Sequence, residues 1–442
     1  MSPFARRFFV ALLASISVLP LAGCKHPNGR FIDPFADDVD KKVEGWGLRK
    51  LDVKDYPDMR AAWMDKTNLE RAILKSLDFL GKQSSQQWYP SPNPGDDITH
   101  AQEVATLNSI LDMLHSSATP DQFQQAIASR YDVYTSKGYN DKGDVWFTGY
   151  YTPIYNGSRT RTAEYLFPIY ARPADLVTDP ITGKVMGSYP TRRQLMTSDK
   201  LRGNELLWFK KPIEPFMIQV QGSAQVKLAD GTTVYVGYAG SNGGEHKGLG
   251  GQLRDAGKID PKHVSLPAVL AYFDAHPGEL DQYMMNDDRF TFQKIYTEAE
   301  LREWPTGSLN EQVTPDRSLA TDKDIFPRAS FVFLDAPQPS PTGPLAPKKT
   351  FVLDQDSGGG IRAAGRADIY MGIGDLAGQR AGEEFAQGRM YYIFLKKEFV
   401  MGGARAPLGG GPGAATAPRP GGPSVPRPGP AGGEMFPGAV GR

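Results

Sequence analysis

Apolar residues follow two rhythms along this chain. Between residues 60 and 130 they recur at every third or fourth position, as Leu69, Ile73, Leu77 and Leu80, then as Val104, Leu107, Leu111 and Leu114. That spacing lines one face of a helix. Thr67-x-x-Glu70 reads as a capping box for the first helix, with Gly81 as its stop. Thr99-x-x-Gln102 opens a second helix, and Thr119-Pro120-Asp121-Gln122 opens a third with proline in its first turn. From Val145 the pattern changes to short β-prone runs bounded by turn residues, at 146–153, 168–170, 215–220, 233–239, 330–334, 351–353, 369–371 and 390–395. Residues 266–273 predict a short helix with Pro267 in its first turn, and 336–348 a Pro-rich loop between two strands. Many short strands after N-terminal helices predict a mainly β protein of barrel or sandwich type, not a parallel α/β sheet.

Composition narrows the class. A length of 442 residues leaves room for two or three domains. Fifty basic and fifty acidic side chains give no net charge, which argues against bulk nucleic-acid binding. The single cysteine allows no internal disulfide. It stands at the end of an export signal: Arg6-Arg7, an apolar run at 8–18 too short to span a bilayer comfortably, then Leu21-Ala22-Gly23-Cys24. Small residues before a cysteine match a bacterial lipoprotein cleavage box. Residues 1–24 therefore read as signal peptide, Cys24 as the lipidated residue, and the membrane as a partner through that anchor. Lys25 after the cysteine favours the outer membrane, with the protein facing the periplasm. Residues 25–60 read as a tether, and 401–442, nearly all Gly, Pro, Ala and Arg, as a disordered tail.

Several motifs fail. Gly248-Leu249-Gly250-Gly251 lacks the last glycine of a dinucleotide fingerprint, there is no Walker loop, and six histidines occur without HExxH spacing, so no cofactor or metal is expected. Gly240-Ser241-Asn242-Gly243 reads as a hairpin turn and His246 as a surface loop residue.

The stretch with chemistry in it is 351–374, FVLDQDSGGGIRAAGRADIYMGIG. It reads strand, loop, strand, with Asp356 and Asp368 at the two ends of the loop. The glycines at 358–360 ask for positive φ or for close approach of something to the backbone. Folding back would bring the carboxylates together and raise the pKa of one. Spacing alone does not separate this from a solvated acidic turn, the commoner meaning of such a pattern.

Residues 145–400 taken together resemble the membrane-bound lytic murein transglycosylase A (MltA) family. The resemblance is carried by Phe147-Thr148-Gly149-Tyr150-Tyr151-Thr152-Pro153, by Pro168-Ile169-Tyr170-Ala171-Arg172-Pro173, by Tyr189-Pro190-Thr191-Arg192, by FMIQVQGS at 216–223, by VGYAGSNG at 236–243, by TPDRSLATD at 314–322 and by Gln355-Asp356-Ser357-Gly358-Gly359. Asp322, Asp356 and Asp368, in that order, resemble the three-aspartate double-psi barrel of these enzymes. Ala224, Gly360, 243–248 and Pro327-Arg328-Ala329 depart from the family's usual residues, which bears on subsite detail.

The resemblance implies a double-psi β-barrel domain from 61–155 and 303–400, with a second, smaller β domain inserted at 156–302. It implies a peptidoglycan lytic exotransglycosylase of lyase type, cleaving the β-1,4 bond between N-acetylmuramic acid and N-acetylglucosamine without water and leaving 1,6-anhydro ends. Asp368 would be acid then base, Asp356 its catalytic partner, and Asp322 a supporting residue. Tyr150, Tyr151 and Tyr238 would face sugar rings, and Gln219, Gln221 and Ser223 would bind amides and hydroxyls. Partners would be glycan strands, with proteins of a wall-synthesis complex as further candidates. The competing readings are an inverting glycan hydrolase and a non-catalytic peptidoglycan-binding lipoprotein.

Overall fold

The computed structural model describes residues 46–400 apart from 94–95, 261–263 and 341–342. The expectations for the signal peptide, Cys24, the first part of the tether and the C-terminal tail fall outside the described residues.

The strands are β1 (Leu48–Lys50), β2 (Tyr131–Ser136), β3 (Val145–Thr152), β4 (Ile154–Gly157), β5 (Phe167–Tyr170), β6 (Glu205–Phe209), β7 (Ser223–Leu228), β8 (Thr233–Ser241), β9 (Thr291–Ile295), β10 (Ser318–Ala320), β11 (Phe331–Ser340), β12 (Gly343–Asp356), β13 (Arg366–Ile373) and β14 (Phe385–Leu395). In the largest sheet they run β1-β2-β14-β11-β12-β10-β13-β3, and β3 pairs again with β14. That second pairing closes a ring of six, β3-β13-β10-β12-β11-β14, whose β10–β12 and β13–β3 seams are parallel. The ring is the mainly β barrel expected, with helices at its N-terminal side. A second sheet orders β4-β7-β8-β9, and β5 pairs with β6.

Alternation explains why the barrel strands read as unbroken apolar runs. Phe331, Phe333, Phe351 and Leu353 face one core, while Val332, Leu334 and Val352 face another. Successive side chains point to opposite sides, and here both sides are dry. The first core is completed by helices Arg60–Met64, Leu69–Leu80, His100–His115 and Pro120–Arg130. Trp63 stacks on Phe123 at 3.9 Å and meets Phe351 edge-on. Arg317 pins these helices to the barrel, donating to Thr67 O (2.8 Å), Asp65 O (2.9 Å), Phe351 O (2.7 Å) and Thr350 Oγ1 (2.8 Å).

Five expectations need correction. Residues 215–220 are not a strand but part of helix Ile213–Gln221. Pro215 sits in the first turn, where its missing N–H has no partner to lose, and Gly222 ends the helix at φ 81. The loop expected at 336–348 is paired: β11 and β12 continue in register through Ala336↔Lys348 and Pro337↔Pro347 as a long hairpin. Thr67 caps nothing; the helix start is Asn68 at φ 58, without a side-chain cap bond. Residues 46–60 are not tether, since Trp46, Leu48 and Met59 are buried and β1 pairs with β2. Gly240 and Ser241 are not a hairpin turn but the end of β8, paired with β9. The capping box at Thr119 forms, with Gln122 reaching back to the Thr119 N–H.

Candidate active site

From Thr148 onward, each residue on one face of β3 carries a hydroxyl: Thr148, Tyr150 and Thr152. Each is answered from the rest of the barrel. The Thr148 hydroxyl donates to Asp368 Oδ1. Tyr150 donates to Asp356 Oδ2 at 2.7 Å. Thr152 lies 2.9 Å from both the Tyr370 hydroxyl and Ser223 Oγ on β7.

The two aspartates reach this face by different routes. Asp368 is the registered partner of Thr148 in the parallel β3–β13 seam. Asp356 is turned to it by a one-residue bulge: Leu319 pairs with Asp354, then Ala320 pairs with Asp356, leaving Gln355 unpaired. Without the extra residue Asp356 would face the opposite side. Asp356 accepts from Tyr150, from Ser308 N (2.9 Å) and from Ser357 N (2.8 Å). Burial holds its carboxyl above the usual range; those three donors and Lys323 oppose the shift. Asp368 is held more lightly. Besides Thr148 it has Arg366 Nη2 at 3.9 Å from Oδ1, and Oδ2 has no partner among the described residues. Its side chain is 22% exposed.

Asp322 is buried and works as a tie: Oδ2 accepts from Ala363 N at 2.9 Å and Oδ1 from Asp324 N at 3.0 Å. The bond secures the one left-handed residue of the 357–365 loop, Ala363 at φ 60. Glycines 358–360 have no positive φ; each permits close approach, with Ile361 against Gly358, Arg289 against Gly359 and the His246 ring against Gly360.

Both aspartates open onto a cleft of about 2300 Å³ that runs from the barrel to residues of β8, β9 and helix Leu249–Asp255. This exceeds what a drug-sized ligand needs and suits a polymer. Tyr150, Gln219, Gln221, Ser223 and Tyr238 line it; Tyr151 does not, packing instead against the barrel core. Gln221 Oε1 accepts from Tyr151 N at 3.0 Å, and Tyr238 is 46% exposed. Among the described residues no group of three or more His, Cys, Asp or Glu is arranged to hold a metal ion.

Other groups escaped the sequence reading. His246 is no surface residue: its Nδ1 lies 3.1 Å from Asp287 Oδ2, within the cleft lining. Asn242 is a strut, donating to Pro190 O and Asp288 O and accepting from Phe290 N. Glu384 is 2% exposed, packs its Cβ beside Gly149, and has no hydrogen-bond partner for either oxygen among the described residues; burial pushes its carboxyl up to about 8. Asn242 stood within the 236–243 motif but was read as part of a turn, and His246 and Glu384, isolated in sequence from the aspartates, carried no signal beyond their residue type.

The "MltA specific insert domain" family matches residues 146–294 and the "3D domain" family residues 317–394. Membrane-bound lytic murein transglycosylase A of Escherichia coli K12 is 27% identical over 266 residues, covering 59% of this chain and 69% of that protein. A homolog from Buchnera aphidicola is 24% identical over 320 residues, 72% of this chain and 82% of the relative. The crystal structure of a membrane-bound lytic murein transglycosylase from Agrobacterium tumefaciens superposes with TM-score 0.62 at 22% identity, covering 79% of this chain and 98% of that one. That of E. coli MltA with bound chitohexaose superposes with TM-score 0.61 at 23% identity, covering 80% and 96%. At such identities the two structures speak for the fold, and the sequence matches for the kinship. With the insert on one side of the cleft and the three-aspartate barrel on the other, the chain belongs to the MltA family.

Proposed function

We propose that this chain is a peptidoglycan lytic transglycosylase, with Asp368 as its single proton carrier. The observation that carries the reading is the pairing of a tethered oxygen with an open one: Thr148 fixes Asp368 Oδ1, while Oδ2 has no partner among the described residues and the side chain faces the cleft. The protonated carboxyl gives its proton to the glycosidic oxygen as the bond to muramic C1 breaks and oxocarbenium character develops. The carboxylate then takes the proton of the same residue's C6 hydroxyl, whose oxygen bonds to C1 and closes the anhydro ring. The nucleophile is already attached, so its effective concentration is high. Asp356 fits an assisting role better than that of a water-activating base, because both its oxygens are occupied by Tyr150, Ser308 and Ser357. Tyr238 and Tyr150 supply sugar-facing surface, and Gln219, Gln221 and Ser223 polar contacts.

The test is mass spectrometry of digested sacculi. Wild-type protein should release 1,6-anhydro-muropeptides and Asp368→Asn none. Reducing ends would indicate hydrolysis, and wild-type protein that releases nothing would favour a binding module.

We read the chain as two β lobes, 61–155 with 303–400 and 156–302, held by a lipid on Cys24 at the outer membrane facing the periplasm. Among the described residues no helix is long and apolar enough to cross a membrane. Cys24→Ser should move the protein from the membrane fraction to the soluble periplasm.

A further inference from the structure

On the insert side of the cleft the backbone at 287–290 is clamped by groups around it. Asn242 bonds Asp288 O and Phe290 N, Arg192 donates to Asp287 O and Arg289 O, and Arg289 N donates to Glu245 O at 3.0 Å. From that fixed base the Arg289 side chain crosses to the barrel loop joining Asp356 to Asp368. A Cβ on Gly359 would come within 2.5 Å of Arg289 Nε and 2.6 Å of Cζ, so the guanidinium lies against bare backbone.

Arg289 makes no ion pair or side-chain hydrogen bond among the described residues, although it is largely withdrawn from water. Burial and the neighbouring Arg362 push its pKa down; Tyr238 and Asp287 act the other way. Asp287, the carboxylate that acts on it, is already engaged by His246 at 3.1 Å and Arg192 at 3.6 Å. Arg362, at the far end of the same loop, is exposed and likewise has no ion pair among the described residues. A half-buried guanidinium without a carboxylate is costly and is normally paired. Its fork is the donor geometry that matches a carboxylate.

We infer that Arg289, with Arg362 beside it, binds a carboxylate carried by the muramoyl residue of the substrate, so that the cleft distinguishes murein from uncharged chitin-type strands. The inference rests on the murein-cleaving reading above and names the substrate feature that site selects. Two sources share the chemistry. On intact strands the carboxylates belong to the stem peptide; on strands stripped of peptide the lactyl group carries one.

Binding separates the sources without requiring turnover. The full chain carrying Asp368→Asn is titrated with peptide-bearing strands, with amidase-stripped strands and with chitohexaose, each with and without Arg289→Gln. Loss of one charge-assisted bidentate contact should weaken binding to at least one murein polymer about tenfold, with chitohexaose affinity unchanged. The polymer affected identifies the carboxylate. Arg362→Gln, at an exposed position that does not hold the fold, should weaken binding to the same polymer to a smaller extent. Equal losses on all three ligands, no loss on either murein polymer, or an Arg362→Gln variant indifferent to charge overturns the inference. Absence of anhydro products from the wild type would undo the proposed function while leaving these affinities readable.

Discussion

Asp356 and Asp368 share one neighbour: Ala320 is the registered strand partner of both. The two carboxylates therefore stand in one cross-strand row, on one face, about 9.6 Å apart at Cα, two strand spacings. The residue between them is a single methyl group, which leaves the space above it open. The roles proposed for them rest on this difference in surroundings: Asp356 accepts from three donors, while Asp368 Oδ2 has no partner among the described residues.

Substituting the two should give different phenotypes. Asp368→Asn is expected to cut anhydro-product release by about 10²–10⁴-fold, the usual worth of a general acid–base, with little change in melting temperature. Asp356→Asn should cost activity less and stability more, because an amide turns a donor toward Tyr150, Ser308 or Ser357. Product release and thermal melts on both variants check this.

Thr148 is expected to position the acid. Thr148→Val removes the bond to Asp368 Oδ1 while keeping the shape, and should lower kcat about tenfold with KM little changed. Thr148→Ser, which keeps the hydroxyl, should restore it. A KM effect of equal size in both variants would point to packing instead.

Stability should fall as pH rises. Burial pushes Glu103 and Glu384 each up to about 8. Unfolded, such groups titrate near 4.3. Between those values the folded chain holds protons that the unfolded chain has lost, so the stability present below the lower value drains away up to the higher one. Glu103→Gln and Glu384→Gln should each raise stability at pH 8 by on the order of 1–3 kcal/mol and change it little near pH 4. Denaturant melts across that range read the slope directly.

Arg317→Met should uncouple the N-terminal helices from the barrel. It leaves the carbonyls of Thr67, Asp65 and Phe351 without their donor. The expected cost is about 3–5 kcal/mol, with residues 60–80 exchanging amide hydrogen fastest.

The strand carrying Thr148, Tyr150 and Thr152 was legible in sequence, but not which of its side chains share a face, since Tyr151, expected beside Tyr150 in the cleft, packs on the other side against the barrel core. Of the six barrel strands, β3, β11, β12, β13 and β14 were legible as short β-prone runs, while the three-residue β10 was not. Residues 215–220 were not: a mostly apolar run of six does not choose between helix and strand, and the structure makes it part of helix Ile213–Gln221, ended by Gly222. The hairpin at 336–348 was hidden by its prolines, which an edge of a two-stranded arm tolerates. Asp356 and Asp368 were found, but the bulge at Gln355 that aims one of them was not, since it depends on the partner strand. Arg289 and His246 were invisible because what gives them meaning, Gly359 and Gly360, lies about seventy residues or more further along the chain.

The ring is sealed by its first and last members, β3 against β13 and β14. Thr148 thus meets Asp368 only after the insert and nearly all of the remaining barrel have been synthesised. A chain cut short before Phe385 would lack an entire wall, with two seams left open. The contact between Thr148 and Asp368 spans 220 positions, so it belongs to the slow, long-range part of folding.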